Sequence, residues 1–356
     1  MAASRGAGSG ARSGANRAAA PSEPARLAVL PPWLTGSAAA LRRREAGGRL
    51  PHALLMRGVA GVGKRAFTRW FAQCVLCRDP DEAGACGACP SCRQLLAGAH
   101  PDYRELLPDG AGIKVDAVRE LLGWQQMSVP AGRWRVALLD GADTLNRHAA
   151  NALLKTLEEP ADGALLLLIA DRPARLPATV RSRCQDVSLA VESHAAARDW
   201  LVERIGAAGH GVGQAEALLS RSGQAPLVAL ALAAPEACER AETLHKAWLD
   251  LFLHRGSVGR IGDTLSGLPV RDCLAAFSRL AALALRRRAG LADGPDPAEQ
   301  AVVSQVFDRL DDAHWFTLRD RLQRLHRIDG PSFKAQAVLE GLLADIRLML
   351  IERTGS

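Results

Sequence analysis

Short apolar runs alternate with amphipathic stretches over the first half of the chain. Runs of strand length occupy residues 53–57, 135–140 and 165–170, and weaker ones occupy 102–106 and 187–190. Segments with helical spacing separate them. Because strands that alternate with helices form parallel sheets covered on both faces, the pattern predicts an α/β domain built on a parallel sheet.

Beyond about residue 193 the strand pattern ends, and Gly and Pro separate stretches of helical spacing. Eight helices are predicted, at 195–205, 214–220, 226–233, 237–253, 271–288, 298–310, 316–328 and 333–351. In the last of these, Val338, Leu342, Ile346 and Leu350 recur every fourth residue, which predicts one apolar helix face.

Length and composition divide the chain further. Its 356 residues exceed the roughly 250–300 that one core supports. We predict an α/β domain over 25–190, a small helical lid over 191–235 and an all-α domain over 236–356. Residues 1–24 are predicted to be a disordered tail, because 16 of them are Ala, Gly or Ser and cannot form a core.

Composition also excludes two classes of protein. Hydrophobic residues make up 48% and charged residues 23%, which is close to the globular average and excludes a wholly disordered chain. No apolar stretch approaches the roughly 20 residues of a membrane-spanning helix, so no membrane partner is expected. The net charge of +7 permits contact with nucleic acid, but charge spread over many helices is also typical of an ordinary solvated surface.

A glycine-rich loop, GVAGVGKR, directly follows the first predicted strand. It fits the phosphate-binding pattern G-x-x-x-x-G-K, except that Arg65 replaces the usual Ser or Thr. In a working loop, Gly58, Gly61 and Gly63 let backbone N–H groups surround the phosphates. Lys64 would reach the terminal oxygens, and the missing hydroxyl would hold Mg²⁺. Since Arg65 cannot bind a cation, the loop predicts a degenerate nucleotide site.

In phosphate-loop proteins a second motif supplies a metal-binding carboxylate, and it is expected here at the end of the strand predicted over 135–140. Asp140 holds the position of a Mg²⁺ carboxylate in phosphate-loop enzymes. Gly141 follows it, where an active ATPase would carry a water-activating Glu. Asp143 is predicted to cap a helix over 144–158. ATP is therefore a doubtful cofactor of this chain, with weak binding left open and hydrolysis not expected.

Five of the eight cysteines fall between residues 74 and 92. Cys77, Cys86, Cys89 and Cys92 have the spacing C-x8-C-x2-C-x2-C, and four thiolates at such separations can close a tetrahedron. This ligand set suits Zn²⁺ and leaves no position open for water, which predicts a structural zinc site. Cys74 lies three residues before Cys77 and is an alternative fourth ligand. A redox-active pair or chance clustering also stays open.

Two longer segments are more specific than the loop. NALLKTLEEP occupies residues 151–160 and RLPATVRSRC occupies 175–184. Together with the four-cysteine insert, they resemble the delta-prime family of clamp-loader subunits of bacterial DNA polymerase III, within the AAA+ family. The resemblance runs from about residue 30 to the C-terminus. It implies an AAA+ core with a zinc module at 74–92, a helical lid, and a collar that joins the subunits of a ring.

The resemblance also implies partners and interface residues. The partners would be the motor (tau/gamma) and delta subunits and, indirectly, the sliding clamp and primer-template DNA, in the bacterial cytoplasm. Ser182 and Arg183 match the family's Ser-Arg-Cys motif, whose Arg reaches the ATP of a neighbouring motor subunit. Lys155 would lie at the same interface. From spacing alone, Arg183 caps a short helix or pairs with Asp186, and Lys155 pairs with Glu158 on a solvated surface.

Four positions depart from the family's motor members. They are Arg65, Gly141, the end of the fourth strand at Asp171, and the lid segment 222–226, which lacks an Arg that could touch ATP. All four changes remove catalytic groups. The sequence thus predicts a non-hydrolysing stator that supplies Arg183 in trans. The alternatives are an active motor-type ATPase and a zinc-dependent nucleic-acid-binding module, although residues 77–100 offer no aromatic side chain for base stacking.

Overall fold

The computed structural model describes residues 27–81, 83–108, 112–127, 134–206, 211–291, 296–326 and 335–354. The tail predicted over residues 1–24 lies outside this part of the chain. Among the described residues, none of the helices is both long and apolar enough to cross a membrane.

Five strands form one parallel sheet, and all five predicted strands are confirmed. They are β1 (Ala53–Arg57), β2 (Tyr103–Leu106), β3 (Arg135–Leu139), β4 (Ala164–Ala170) and β5 (Gln185–Ser188). The order across the sheet is β2-β3-β4-β1-β5, and each neighbouring pair is parallel. Every residue of β4 is buried, which explains its uninterrupted apolar run.

Helices cover both faces of the sheet. In the α/β domain these are α1 (Thr35–Ala46), α2 (Lys64–Leu76), α3 (Pro90–Leu96), α4 (Val115–Gln125), α5 (Arg147–Glu158) and α6 (Ala178–Arg181). Alternate residues of each strand join two different cores: Leu54 and Met56 pack in the cluster that includes α2, while Ala53 and Leu55 pack in the cluster that includes α4 and α5.

The remaining described helices carry two further apolar clusters. The smaller one joins α7 (His194–Ile205), α8 (Val212–Arg221) and α9 (Pro226–Leu232), which we call the lid helices. The larger one joins the collar helices, which are α10 (Pro235–Phe252), α11 (Val258–Leu265), α12 (Val270–Arg288), α13 (Pro297–Val306), α14 (Asp312–His326) and α15 (Ala335–Thr354). The domain boundaries at 190 and 235 stay predictions.

Stacked aromatic rings fill the centre of the collar cluster. The Trp248 ring centroid lies 4.6 Å from that of Phe252 and 5.0 Å from that of Phe277. The predicted apolar face of α15 is confirmed at Leu342, Ile346 and Leu350, which are all buried.

The pattern missed α11, because Gly259 and Gly262 interrupt its helical spacing. Gly262 is buried where α11 meets α15, and a methyl group added there would lie 3.6 Å from Glu340 Cγ. This is an ordinary van der Waals distance, so Gly262 lies in the contact between the two helices but the space there would accept a methyl group.

The lid helices contact the glycine-rich loop directly. The backbone N–H of Leu227, at the start of α9, donates to the Gly61 carbonyl at 3.1 Å. Gly61 has φ +80°, and a methyl group at this position would clash with Val228. From the opposite side, the indole N–H of Trp33 donates to the Val62 carbonyl at 2.8 Å. The loop is thus held between the N-terminal segment and the lid.

A buried ion pair joins the lid to the collar. Arg221 Nε at the end of α8 lies 3.3 Å from Asp296 Oδ2, and the two side chains are only 13% and 8% exposed. The other oxygen of Asp296 accepts from the Ala298 N–H at 2.9 Å and so caps α13. Arg221 Nε and Asp296 Oδ2 make no hydrogen bond, so the contact is an electrostatic one. This contact ties the orientation of the lid to that of the collar.

Candidate functional site

The glycine-rich loop leads from β1 into α2 at the carboxyl edge of the sheet. Gly63 is the residue before α2 and has φ +98°, a conformation that glycine adopts without strain. Lys64 follows it and is buried. Asp140 follows β3 and contacts Arg65, the residue after Lys64, so the loop and Asp140 lie side by side. Nucleotide binding by Gly58, Gly61, Gly63, Lys64 and Asp140 stays a prediction.

Three contacts within the chain occupy the ammonium group of Lys64. Its Nζ donates to the carbonyl oxygens of Gly58 at 2.8 Å and Val59 at 2.9 Å, and it lies 2.5 Å from the Asp171 carboxylate. A lysine has three N–H donors, so these partners use all of them. An incoming phosphate would have to displace Asp171.

Arg65 stands where the phosphate-loop pattern has a metal-binding Ser or Thr, and its positive charge is paired with the Asp140 carboxylate. Its Nε donates to Oδ2 of Asp140, whose side chain is only 11% exposed. In a working site of this architecture, that carboxylate would face Mg²⁺. The half-exposed guanidinium of Arg65 therefore lies against the carboxylate that would face a divalent cation.

Asp143 has a different role from the predicted helix cap. It lies in a 3₁₀ turn, Ala142–Thr144, and α5 begins only at Arg147, where Asn146 Oδ1 accepts from the Ala149 N–H at 2.9 Å. The capping prediction was therefore wrong, because the left-handed Gly141 (φ +71°) opens a separate turn.

The Asp143 carboxylate instead accepts from the backbone N–H groups of Asp171 at 3.2 Å and Arg172 at 3.1 Å. These bonds fix the backbone at the end of β4. Register adds to them, because Arg57 of β1 pairs with Ala170 of β4, which places Gly58 beside Asp171. Together they hold the Asp171 carboxylate against Lys64. Sequence reasoning noted Asp171 only as a missing sensor and not as a lysine partner.

The four predicted cysteines form one cluster between α2 and α3. The ligand atoms of Cys77, Cys86, Cys89 and Cys92 all lie within 4.8 Å of one another. The Sγ–Sγ distance is 3.9 Å for both Cys77–Cys89 and Cys86–Cys92, and 3.5 Å for Cys77–Cys92. Four sulfurs on a tetrahedral ion with metal–sulfur bonds of about 2.3 Å lie about 3.8 Å apart, so the cluster fits such an ion.

Backbone N–H groups donate hydrogen bonds to sulfurs of this cluster. The N–H of Cys86 donates to Cys77 Sγ at 3.3 Å, and the N–H of Cys92 donates to Cys89 Sγ at 3.4 Å. Burial opposes ionisation of Cys89, but hydrogen bonds from the backbone of Arg78 and Cys92 lower the pKa of this thiol to about 6. Burial raises the pKa of the Cys77 and Cys92 thiols, so the thiolate, which is the form that binds metals, is favoured at Cys89.

Cys74 is excluded as the alternative ligand. It is 1% exposed and packs in the apolar cluster on the α2 face of the sheet. Its thiol is not part of the group of four whose ligand atoms lie within 4.8 Å of one another. Cys77 comes after the last turn of α2, in extended backbone with φ −69° and ψ 142°, and this change of direction separates the two thiols.

Hydrogen bonds anchor the cysteine module to the α/β domain. The Ser91 hydroxyl donates to the Leu76 carbonyl at 2.6 Å and lies 2.8 Å from Nε2 of the buried His100. The Trp70 indole N–H donates to the Ala83 carbonyl at 2.9 Å. The module thus packs against the helix that follows the phosphate loop, and it is suited to a structural role.

Arg183 lies just after α6, far along the chain from the loop. Its Nη2 is 2.7 Å from Oε1 of Glu158, and its Nη1 donates to the Thr179 carbonyl at 3.0 Å. The predicted pairing with Asp186 was wrong, because Asp186 instead lies 3.3 Å from Arg57 Nε. The predicted contact to the end of a short helix is confirmed through Thr179.

Lys155 and Ser182 are both exposed. Lys155 is on α5, one turn before Glu158, whose carboxylate pairs with Arg183. The Ser182 hydroxyl donates to the Thr179 carbonyl at 3.2 Å. The ends of α5 and α6 thus bring Lys155, Ser182 and Arg183 to one exposed area.

Comparison with known proteins identifies the α/β domain. Residues 35–193 match the protein family described as "DNA polymerase III, delta subunit". DNA polymerase III subunit delta' of Pseudomonas aeruginosa is 43% identical over 189 residues, which is 52% of this chain and 57% of that protein. The resemblance to the delta-prime clamp-loader family is confirmed. The chain spans about half the length of the curated delta-prime relatives that it matches.

Two other similarities concern the wider clamp-loader group. DNA polymerase III subunit tau of Escherichia coli is 41% identical over 138 residues, which is 38% of this chain and 21% of that protein. A solved structure of a DNA polymerase III gamma subunit-related protein from Thermotoga maritima covers 87% of this chain and 99% of its own, with a TM-score of 0.43 and 16% identity. The parallel sheet, the glycine-rich loop after β1 and the following helices form the α/β architecture that the sequence predicts.

Replacement of one cysteine tests the metal site. Cys89→Ser should abolish metal binding and expose the 77–92 loop to protease, because ligation in small metal modules contributes roughly 10–16 kcal/mol of apparent binding free energy. Elemental analysis of the purified chain measures the metal. Cys74→Ala is the matched control and should retain the metal. Full metal content in Cys89→Ser would contradict the site.

A second substitution tests the cation position beside Asp140. The native chain should bind ATP with the same affinity in Mg²⁺ and in EDTA. Arg65→Thr should bind ATP about tenfold more tightly with Mg²⁺, since a contact to a charged group is worth about 1.5–3 kcal/mol. Equilibrium titration with a fluorescent ATP analogue measures both. Arg65→Lys, which keeps the positive charge, should stay insensitive to Mg²⁺, and Mg²⁺-dependent binding by the native chain would overturn the interpretation.

Proposed function

We propose that this protein is a non-hydrolysing stator subunit of the DNA polymerase III clamp loader. In this function it completes the ATP site of a neighbouring motor subunit through Arg183. The motor subunits hydrolyse ATP and load the sliding clamp onto primer-template DNA during replication. The similarity of residues 35–193 to delta-prime proteins supports this assignment.

One observation carries the non-hydrolysing part of the proposal. The two groups that would handle a Mg²⁺-triphosphate, Lys64 and Asp140, are both paired to charges of the same chain. Gly141 adds to this, since no carboxylate stands next to Asp140 to activate water. Hydrolysis would need two ion pairs to open and a metal ligand that Arg65 has replaced.

The contacts between domains support a rigid role. In a motor subunit, the lid moves when nucleotide binds between it and the loop. Here the lid helix α9 is hydrogen-bonded directly to the loop through Gly61, and the lid is tied to the collar through Arg221 and Asp296. A subunit of this kind gives neighbouring motors a fixed surface to move against.

The remaining parts of the proposal concern the metal and the partners. Four thiolates with tetrahedral spacing favour Zn²⁺ over oxygen-preferring ions, so we infer a structural zinc in the cysteine module. The collar helices would join the ring with the tau/gamma and delta subunits. Contact with the clamp and with DNA would then be made by the assembled loader.

A motor-type ATPase is the second candidate, because the tau protein of E. coli is 41% identical over 138 residues. The paired state of Lys64 and Asp140 argues against it. A subunit that supplies an arginine to a neighbour's ATP site does not have to bind ATP itself. The stator function is therefore consistent both with the paired state of Lys64 and Asp140 and with the exposure of Arg183.

Loss of the Arg183 guanidinium tests the trans role. In a loader reconstituted with its cognate motor and delta subunits, Arg183→Ala should slow hydrolysis at the adjacent ATP site by about 10³-fold or more, as for other trans arginines. Clamp- and DNA-stimulated ATP hydrolysis and clamp loading measure the effect. The loader should still assemble, because Arg183 is 37% exposed and packs in no core.

Arg181→Ala is the matched control for this experiment. Arg181 lies two residues away and donates to the Pro173 carbonyl of its own chain at 3.3 Å. Its loss should leave hydrolysis and loading unchanged. Native hydrolysis by an assembled Arg183→Ala loader would contradict the trans role.

A further inference from the structure

The side chain of Arg183 is folded back against its own chain. Its Nη1 donates to the carbonyl of Thr179, four residues earlier, at 3.0 Å. Its Nη2 lies 2.7 Å from Oε1 of Glu158, the last residue of α5. Both terminal nitrogens of the guanidinium, Nη1 and Nη2, therefore have partners within the chain. To contact a phosphate on another chain, the side chain has to give up at least part of this arrangement.

Glu158 is the carboxylate that opposes this movement. A γ-phosphate that reached Arg183 in its present position would lie close to the Glu158 carboxylate and be repelled by it. Moving the guanidinium toward the phosphate removes the repulsion but breaks the ion pair. In either case, part of the attraction between Arg183 and the neighbour's ATP is offset by Glu158.

We propose that Glu158 is a positioning residue that holds Arg183 in a resting state and weakens ATP binding at the adjacent motor site. The proposal rests on the trans role of Arg183 proposed above. On ATP binding, the guanidinium exchanges one anionic partner, the carboxylate, for another, the γ-phosphate.

The exposure of the pair sets the size of the effect. The side chain of Arg183 is 37% exposed and that of Glu158 is 50% exposed. Ion pairs of this kind are worth about 0.2–1 kcal/mol, so the pair restrains the arginine without locking it in place. The contact to Thr179 does not depend on Glu158 and should keep Arg183 near the interface when the carboxylate is neutralised.

The test uses Glu158→Gln in the fully reconstituted loader. The variant should lower the KM for ATP about two- to fivefold, which corresponds to the strength of an exposed pair. The kcat should stay unchanged, because the Glu158 carboxylate opposes bound ATP and the transition state to the same extent. Its removal therefore strengthens ATP binding without changing the barrier from bound ATP to the transition state. Glu159→Gln, which removes the adjacent carboxylate of the same charge, should leave KM and kcat at native values.

A double variant separates positioning from a general structural effect. If Glu158 acts through Arg183, Glu158→Gln should change nothing in a loader that already carries Arg183→Ala. If Glu158→Gln changed the KM equally in the native loader and in the Arg183→Ala loader, the proposal would be overturned. It would also be overturned if Glu158→Gln lowered both the kcat and the thermal stability. Unchanged KM in Glu158→Gln would also overturn it. If Arg183→Ala alone left hydrolysis at the native rate, the trans role itself would fail, and the resting state would fail with it.

Discussion

The structure depends on the pairing of two cations and two carboxylates at the carboxyl edge of the sheet. Lys64 binds Asp171, and Arg65 binds Asp140. A glycine-rich loop at a helix N-terminus usually has positive charge that a triphosphate and its metal must balance. Here side chains of the same chain supply that balance. The loop also packs directly against the lid, through the hydrogen bond from Leu227 to Gly61.

This internal balance supports the proposal that a phosphate-loop domain serves here as a rigid element. In a nucleotide-driven protein, the free energy of ligand binding is what moves the lid. Where the charges of the loop are balanced within the chain, nucleotide binding would supply less free energy to move the lid. The lid can then be held in one orientation. The Leu227–Gly61 hydrogen bond holds the lid at the loop, and the Arg221–Asp296 pair holds it at the collar. In the proposed function, the working group would then be Arg183, which is exposed at the surface.

Much of the fold could be predicted from the sequence, because local patterns determine it. The central strands β1, β3 and β4 follow from apolar runs that are buried on both faces, and the four-cysteine cluster follows from cysteine spacing. The missed features depend on contacts between distant segments. Asp171 meets Lys64 only because β1 pairs with β4 in a particular register and Asp143 bonds the backbone after β4. Glu158 meets Arg183 only because α5 and α6 end side by side, whereas the nearer Asp186 faces Arg57.

The most direct test of the central claim is steady-state ATP hydrolysis by the purified chain alone, compared with its Lys64→Ala variant. The ion pairs at the loop predict that the two proteins hydrolyse ATP at the same background rate, with or without DNA. Turnover by the native chain that disappears in Lys64→Ala would contradict the account.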